Sequence, residues 1–161
     1  MRGFTLIELI VVVLLIASLA SIALPRFLDA DDEARTAAAQ YTASSFAESL
    51  ATLRGEWLVK GKPSSLTLDG VSIDFDSNGR VDPTATGSAG CMEMWDEVLK
   101  NPEPIVPYVA NAAPESWSAL GAGTLCLFIH QYGQAYSVSN QQPFILYQTS
   151  GDTYLLRNFN M

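Results

Sequence analysis

Residues 4–24 read FTLIELIVVVLLIASLASIAL, from Phe4 to Leu24, and the only ionisable side chain between Gly3 and Pro25 is Glu8. As a helix rising about 1.5 Å per residue this run would be about 31 Å long, close to the hydrocarbon thickness of a bilayer. A cleaved secretory signal is the competing reading, because Ala17, Ala20 and Ala23 offer small residues to a signal peptidase. Three features count against it: the run is longer than a usual signal core, the basic lead-in is Arg2 alone, and an acid sits inside the run. Arg2 precedes the span, whereas Asp29, Asp31, Asp32 and Glu33 follow it. The positive-inside tendency therefore puts the N-terminus in the cytoplasm and the bulk of the chain outside.

Glu8 is the odd residue of this run. A carboxylate in a bilayer costs a few kcal/mol, so an intramembrane acid is read as functional unless it merely borders the membrane. It needs a buried cation, and the span supplies no Lys or Arg. A cut after Gly3 would create one, the α-amine of Phe4, close to Glu8 on its own helix but well placed for a neighbouring copy.

Gly3-Phe4-Thr5-Leu6-Ile7-Glu8, followed by a long apolar run and Pro25, resembles the class III signal of type IV pilins and pseudopilins. The resemblance covers about 30 residues, and the order Gly, Phe, Glu, then unbroken hydrophobics makes it specific. It implies cleavage between Gly3 and Phe4 by the prepilin peptidase and N-methylation of Phe4. It further implies residence in the inner membrane, then assembly through Glu8, Pro25 and the packed helices into an extracellular pilus, or fimbrium. The leader, residues 1–3, is short for the family.

The rest of the chain is an ordinary polar domain. Over 161 residues, 48% are hydrophobic and only 16% charged, against roughly a quarter charged in soluble domains. Seventeen Asp+Glu against nine Lys+Arg give a formal charge of −8, which argues against nucleic acid as a partner because phosphates need basic clusters. One histidine and two cysteines put most catalytic and zinc constellations out of reach, so the composition points away from an enzyme.

Pro25 lacks an amide hydrogen and is expected to kink or loosen the helix. Helical character resumes over 25–58, with no Gly or further Pro before Gly55. There Ala39, Ala43, Phe46, Leu50, Leu53 and Trp57 step by fours and threes into one apolar stripe, suited to covering a core rather than to a coiled-coil seam. A turn at Gly61–Ser65 follows, then β-type runs at Leu66–Leu68, Val71–Phe75, Thr124–Tyr132, Ala135–Val138, Phe144–Gln148 and Thr153–Leu156, with a short helix or turn at Cys91–Lys100. The expected fold class is α+β: a leader (1–3), a transmembrane or filament-core helix (4–24) and an amphipathic helix (25–58). The helix packs on an antiparallel-sheet head at 59–161.

Cys91 and Cys126 are the only cysteines, and in an exported domain such a pair reads as one disulfide, worth about 3–4 kcal/mol through loop entropy. Cys91 with Trp95, Leu99, Asn101-Pro102, Trp117, Cys126 and Ile145-x-Tyr147 resembles, in a patchy way, the C-terminal region of pilins of the mannose-sensitive haemagglutinin (MSHA) type. That resemblance implies a subunit supporting surface attachment, with a surface or glycan as receptor.

Asp74, Asp76, Asn78, the carbonyl of Arg80, and Asp82, with Gly79 between, follow much of a calcium-loop spacing, although Ala85 stands where a bidentate Glu is expected. Asn78-Gly79 is also a strong hairpin signal, and the hairpin is the favoured reading. No other cofactor is suggested. His130 lies in an apolar run with no catalytic companion and reads as structural, and Asp29–Glu33 reads as a solvated helix face or a partner for Arg26 or Arg35 of a neighbour. The functional expectation is a structural subunit of a type IV, MSHA-like pilus, in a filament with itself and other pilins. The alternatives are a pseudopilin of a type II secretion system and a minor or tip adhesin subunit.

Overall fold

The computed structural model describes residues 5–131, 133–137, 142–148 and 155–157, with backbone only at 23–32 and 155–157. The chain divides into two compact units, residues 1–38 and 39–161. Helix α1 (Leu6–Val59) has 54 residues and supplies elements of both. It is assigned without interruption past Pro25, so the two expected helical segments form one element. One missing N–H removes a single bond from a ladder that long.

In residues 1–38 the helix starts at a capped turn. Its apolar side chains from Leu6 to Ile22 lie open, with Leu6 76% and Ile7 71% exposed. The hydroxyls inside this run do not stay unpaired: Ser18 donates to the Leu15 carbonyl at 2.8 Å and Ser21 to that of Ser18 at 2.8 Å. Back-bonding of this kind lets serine sit in an apolar helix without stranding a polar group.

In residues 39–161 the stripe on α1 is the floor of the core. Ala39, Phe46, Leu50, Leu53 and Trp57 are all buried. Phe46 meets the rings of Trp95, Phe128 and Tyr147 at centroid distances of 5.9, 5.4 and 6.4 Å. These offset and edge contacts suit aromatic quadrupoles. β1 (Ser65–Leu68) and β2 (Val71–Asp74) form a separate two-stranded hairpin closed at Asp69-Gly70. α2 (Gly87–Val98) buries Cys91, Met94, Trp95 and Val98.

The main sheet comprises β3 (Ile105–Pro107), β4 (Trp117–Ala122), β5 (Leu125–His130), β6 (Phe144–Gln148) and β7 (Leu155–Arg157), in that spatial order. β3 pairs parallel to β4, and every other pairing is antiparallel. The α+β class holds, with a mixed sheet in place of a purely antiparallel one.

Several boundaries differ from the sequence reading. β3 and β4 were not expected. β3 is three residues ending in a proline, tolerable only at a sheet edge. β4, WSALGA, is rich in small residues of low strand propensity and is held by pairing with β5. Gly121 in β4 allows the close approach of α2: a Cβ there would lie 2.1 Å from the backbone of Gly87. Ala135–Ser137 is not strand, while Val138 lies outside the described residues. Side-chain amides hold the turn just before it: Gln131 Nε2 donates to the carbonyls of Ala112 and Gln134, and Gln142 Nε2 donates to that of Gln134. α2 begins a turn earlier than expected, and the Glu93 carboxylate folds back onto the segment leading into it, accepting from the Thr84 hydroxyl at 2.6 Å and the Ala85 N–H at 2.9 Å. Those two bonds, the hydroxyl foremost, hold the Glu93 carboxyl below its usual range.

Cys91 on α2 and Cys126 on β5 form the disulfide, tying the helix to the sheet's central strand.

Candidate functional site: the N-terminal helix and the head that carries it

Thr5 opens α1. Its Oγ1 accepts the Glu8 N–H at 3.3 Å, and its carbonyl accepts the Leu9 N–H at 3.3 Å. Thr5-x-x-Glu8 thus has the sequence of a capping box, and Glu8 is the acidic residue of the first turn, where the helix dipole favours negative charge. Sequence reasoning read Glu8 only as a buried-charge problem and missed this local role, although the T-x-x-E spacing was legible. Gly3 and Phe4, the expected processing residues, lie outside the described residues, as does the side chain of Pro25.

Beyond the first turn the described surface is apolar on every side. Ile10, Val11, Val12, Val13, Leu14, Leu15, Ile16, Leu19 and Ile22 are each 44% to 70% exposed. A monomer does not sustain a patch of that extent in water, so it marks an interaction or membrane surface. Among the described residues no helix is long and apolar enough to cross a membrane. The described side chains of this run stop at Ile22, short of the full 4–24 stretch.

The other expected sites fall within residues 39–161. Phe75 bridges Val81, the Asp76 N–H donates to the Arg80 carbonyl at 2.9 Å, and the Asp82 N–H donates to the Asp74 carbonyl at 2.9 Å. The Asp76 carboxylate accepts the N–H groups of Asn78 and Arg80 at 2.8 and 2.9 Å, and lies 3.8 Å from the Arg80 guanidinium. These are the bonds of a closed hairpin loop. They use the Arg80 carbonyl as an acceptor and place the Arg80 guanidinium beside the Asp76 carboxylate. Among the described residues no group of three or more His, Cys, Asp or Glu could hold a metal ion. Gly79 is required for another reason: its φ is +77°, and a Cβ there would lie 2.3 Å from Trp57 Cε3.

His130 is buried against Trp117, ring centroids 4.7 Å apart, with its Nε2 3.9 Å from a Glu103 carboxylate oxygen. The same carboxylate accepts the Trp117 indole N–H at 2.9 Å. The surroundings are those of a packed core residue.

A family model described as the prokaryotic N-terminal methylation motif matches residues 1–24. Comparison with curated proteins and with solved structures returned no match. The match supports a type IV pilin-like class III signal at the N-terminus of the chain.

Proposed function

We propose that this chain is a structural subunit of a type IV pilus, MSHA-like in its head. In this reading it is held in the inner membrane by its N-terminal helix and is cut between Gly3 and Phe4. It then polymerises through that helix into an extracellular fimbrium that supports surface attachment. The observation that carries the reading is the helix surface open from Leu6 to Ile22 with Glu8 as its sole charge, under a matching methylation motif. Such a surface is stable only when covered, first by lipid and then by copies of itself. A carboxylate taken out of water beside it needs a cation, and the methylated amine of Phe4 on an adjacent copy supplies one. Desolvation offsets much of the attraction, so the pair sets registry between subunits more than it adds binding energy. The MSHA-like assignment rests on the resemblance around the two cysteines and on the disulfide they form.

Electron microscopy of cells lacking the gene tests this reading. Loss of the filaments is the expected result. Normal filaments with failed protein secretion would replace the pilus with a secretion pseudopilus, and normal filaments with lost adhesion would indicate a tip subunit.

A further inference from the structure

Asn78-Gly79 is the one Asn-Gly pair in the chain. An asparagine followed by glycine is the dipeptide most open to spontaneous deamidation, because no side chain on the second residue shields its amide nitrogen. That nitrogen loses its proton to hydroxide and attacks the Asn Cγ. The new N–C bond closes a succinimide ring, and the side-chain nitrogen leaves as ammonia. Water then opens the ring at either carbonyl, giving Asp or isoaspartate. Asn78 stands exposed to the solvent that supplies hydroxide and water.

The closed hairpin loop opposes the first step. The Gly79 N–H donates to the Asp76 carbonyl at 3.0 Å, so the proton that must be lost is held in a hydrogen bond. On either side, the N–H groups of Asn78 and Arg80 donate to the Asp76 carboxylate at 2.8 and 2.9 Å. They fix the peptide planes that ring closure has to rotate. Gly79 is buried at φ +77°, and a Cβ there would collide with the Trp57 ring. Trp57 lies in turn on Phe75, ring centroids 6.4 Å apart, and Phe75 bridges Val81 at the base of the loop. The succinimide therefore cannot form until the loop opens. The product conflicts with the same packing. Isoaspartate routes the main chain through the former side-chain carbon, one carbon longer, directly before the glycine that has no room for a carbon against Trp57. It also adds a carboxylate to a loop that already holds Asp74, Asp76 and Asp82.

We propose that Asn78 is a self-modification site gated by the fold. It is inert while the hairpin is closed under Trp57, and it converts to isoaspartate in a chain whose head has unfolded. The converted chain cannot reseat Trp57, so the change is a covalent, one-way record of unfolding. The inference stands apart from the assembly reading and holds whether or not the chain forms filaments.

Full-length chain in detergent micelles is incubated at mildly alkaline pH, with and without urea and a thiol reductant. The peptide spanning 76–82 is followed by mass spectrometry for conversion of amide to acid, and isoaspartate is scored by methyltransferase labelling. Conversion at Asn78 should be about tenfold slower or more in the native chain, which reacts only through openings of the loop. Asp76→Ala removes the acceptor of two loop N–H groups but leaves the reacting pair intact. It should raise the native rate severalfold and leave the rate in urea unchanged. Equal rates in native and unfolded wild-type chain overturn the proposal. So does an Asp76→Ala chain, folded by its tryptophan emission, that reacts no faster than wild type. Chains carrying isoaspartate at 78 are then returned to native buffer and oxidant beside unmodified chains taken through the same cycle. They should keep the red-shifted emission of an exposed indole, and recovery of the native spectrum overturns the claim that the change is one-way.

Discussion

Glu8 is both a first-turn cap residue and the single charge of an apolar surface, and the two roles predict effects of different size. At the first turn its carboxylate meets the positive end of the helix dipole, an effect of about 0.3–1 kcal/mol. In the proposed assembly its charge sets registry between subunits. Glu8→Val should therefore abolish filaments in sheared-pilus preparations while leaving the melting temperature of the head unchanged. Thr5→Ala, which removes the acceptor of the Glu8 N–H but keeps the carboxylate, should still assemble. Equal loss in both variants would reduce Glu8 to a capping residue. Gly79 makes a prediction of another kind. Alanine there meets the Trp57 ring and an unfavourable φ, so Gly79→Ala should destabilise the head by about 2–4 kcal/mol in denaturant unfolding followed by tryptophan fluorescence. The Asn78-Gly79 turn was legible as a turn. That the glycine also lies under Trp57 was not, because nothing local in the sequence brings two residues that far apart together.

At the scale of elements, periodicity was the readable signal. The stripe from Ala39 to Trp57 is buried as its spacing requires, and β1, β2, β5 and β6 lie where apolar and β-branched runs fall. β3 and β4 escaped because pairing and the fit against α2 decide them, not side-chain propensity. Glu97 supplies a pH test at this scale. Its folded pKa of about 7 lies above the ordinary 4.5, with burial the main cause, so the folded state holds its proton more tightly than the unfolded chain. The associated stability is fully present below about pH 4.5 and is lost as pH rises through 7. The melting temperature of the full chain in detergent should therefore fall across that window. Glu97→Gln, neutral throughout, should flatten the fall. A wild-type profile that matches Glu97→Gln would contradict the buried-acid account.

At the scale of the molecule, a disulfide-tied head is joined in sequence to a helix whose surface has no use for water. The bridge between Cys91 and Cys126 closes a separation of 35 residues, and the loop-entropy model assigns it about 3–4 kcal/mol. Cys126→Ser should lower head stability by that order in chemical denaturation, and the native, non-reduced protein should resist thiol alkylation. The head's detailed surface was out of reach of the sequence, whereas the methylation motif was legible in the residues from Gly3 to Glu8. Mass spectrometry of the mature protein's N-terminus tests the processing that motif implies directly. The account predicts a chain beginning at N-methylated Phe4, and a chain beginning after Ala20 or Ala23 would contradict it in favour of ordinary secretion.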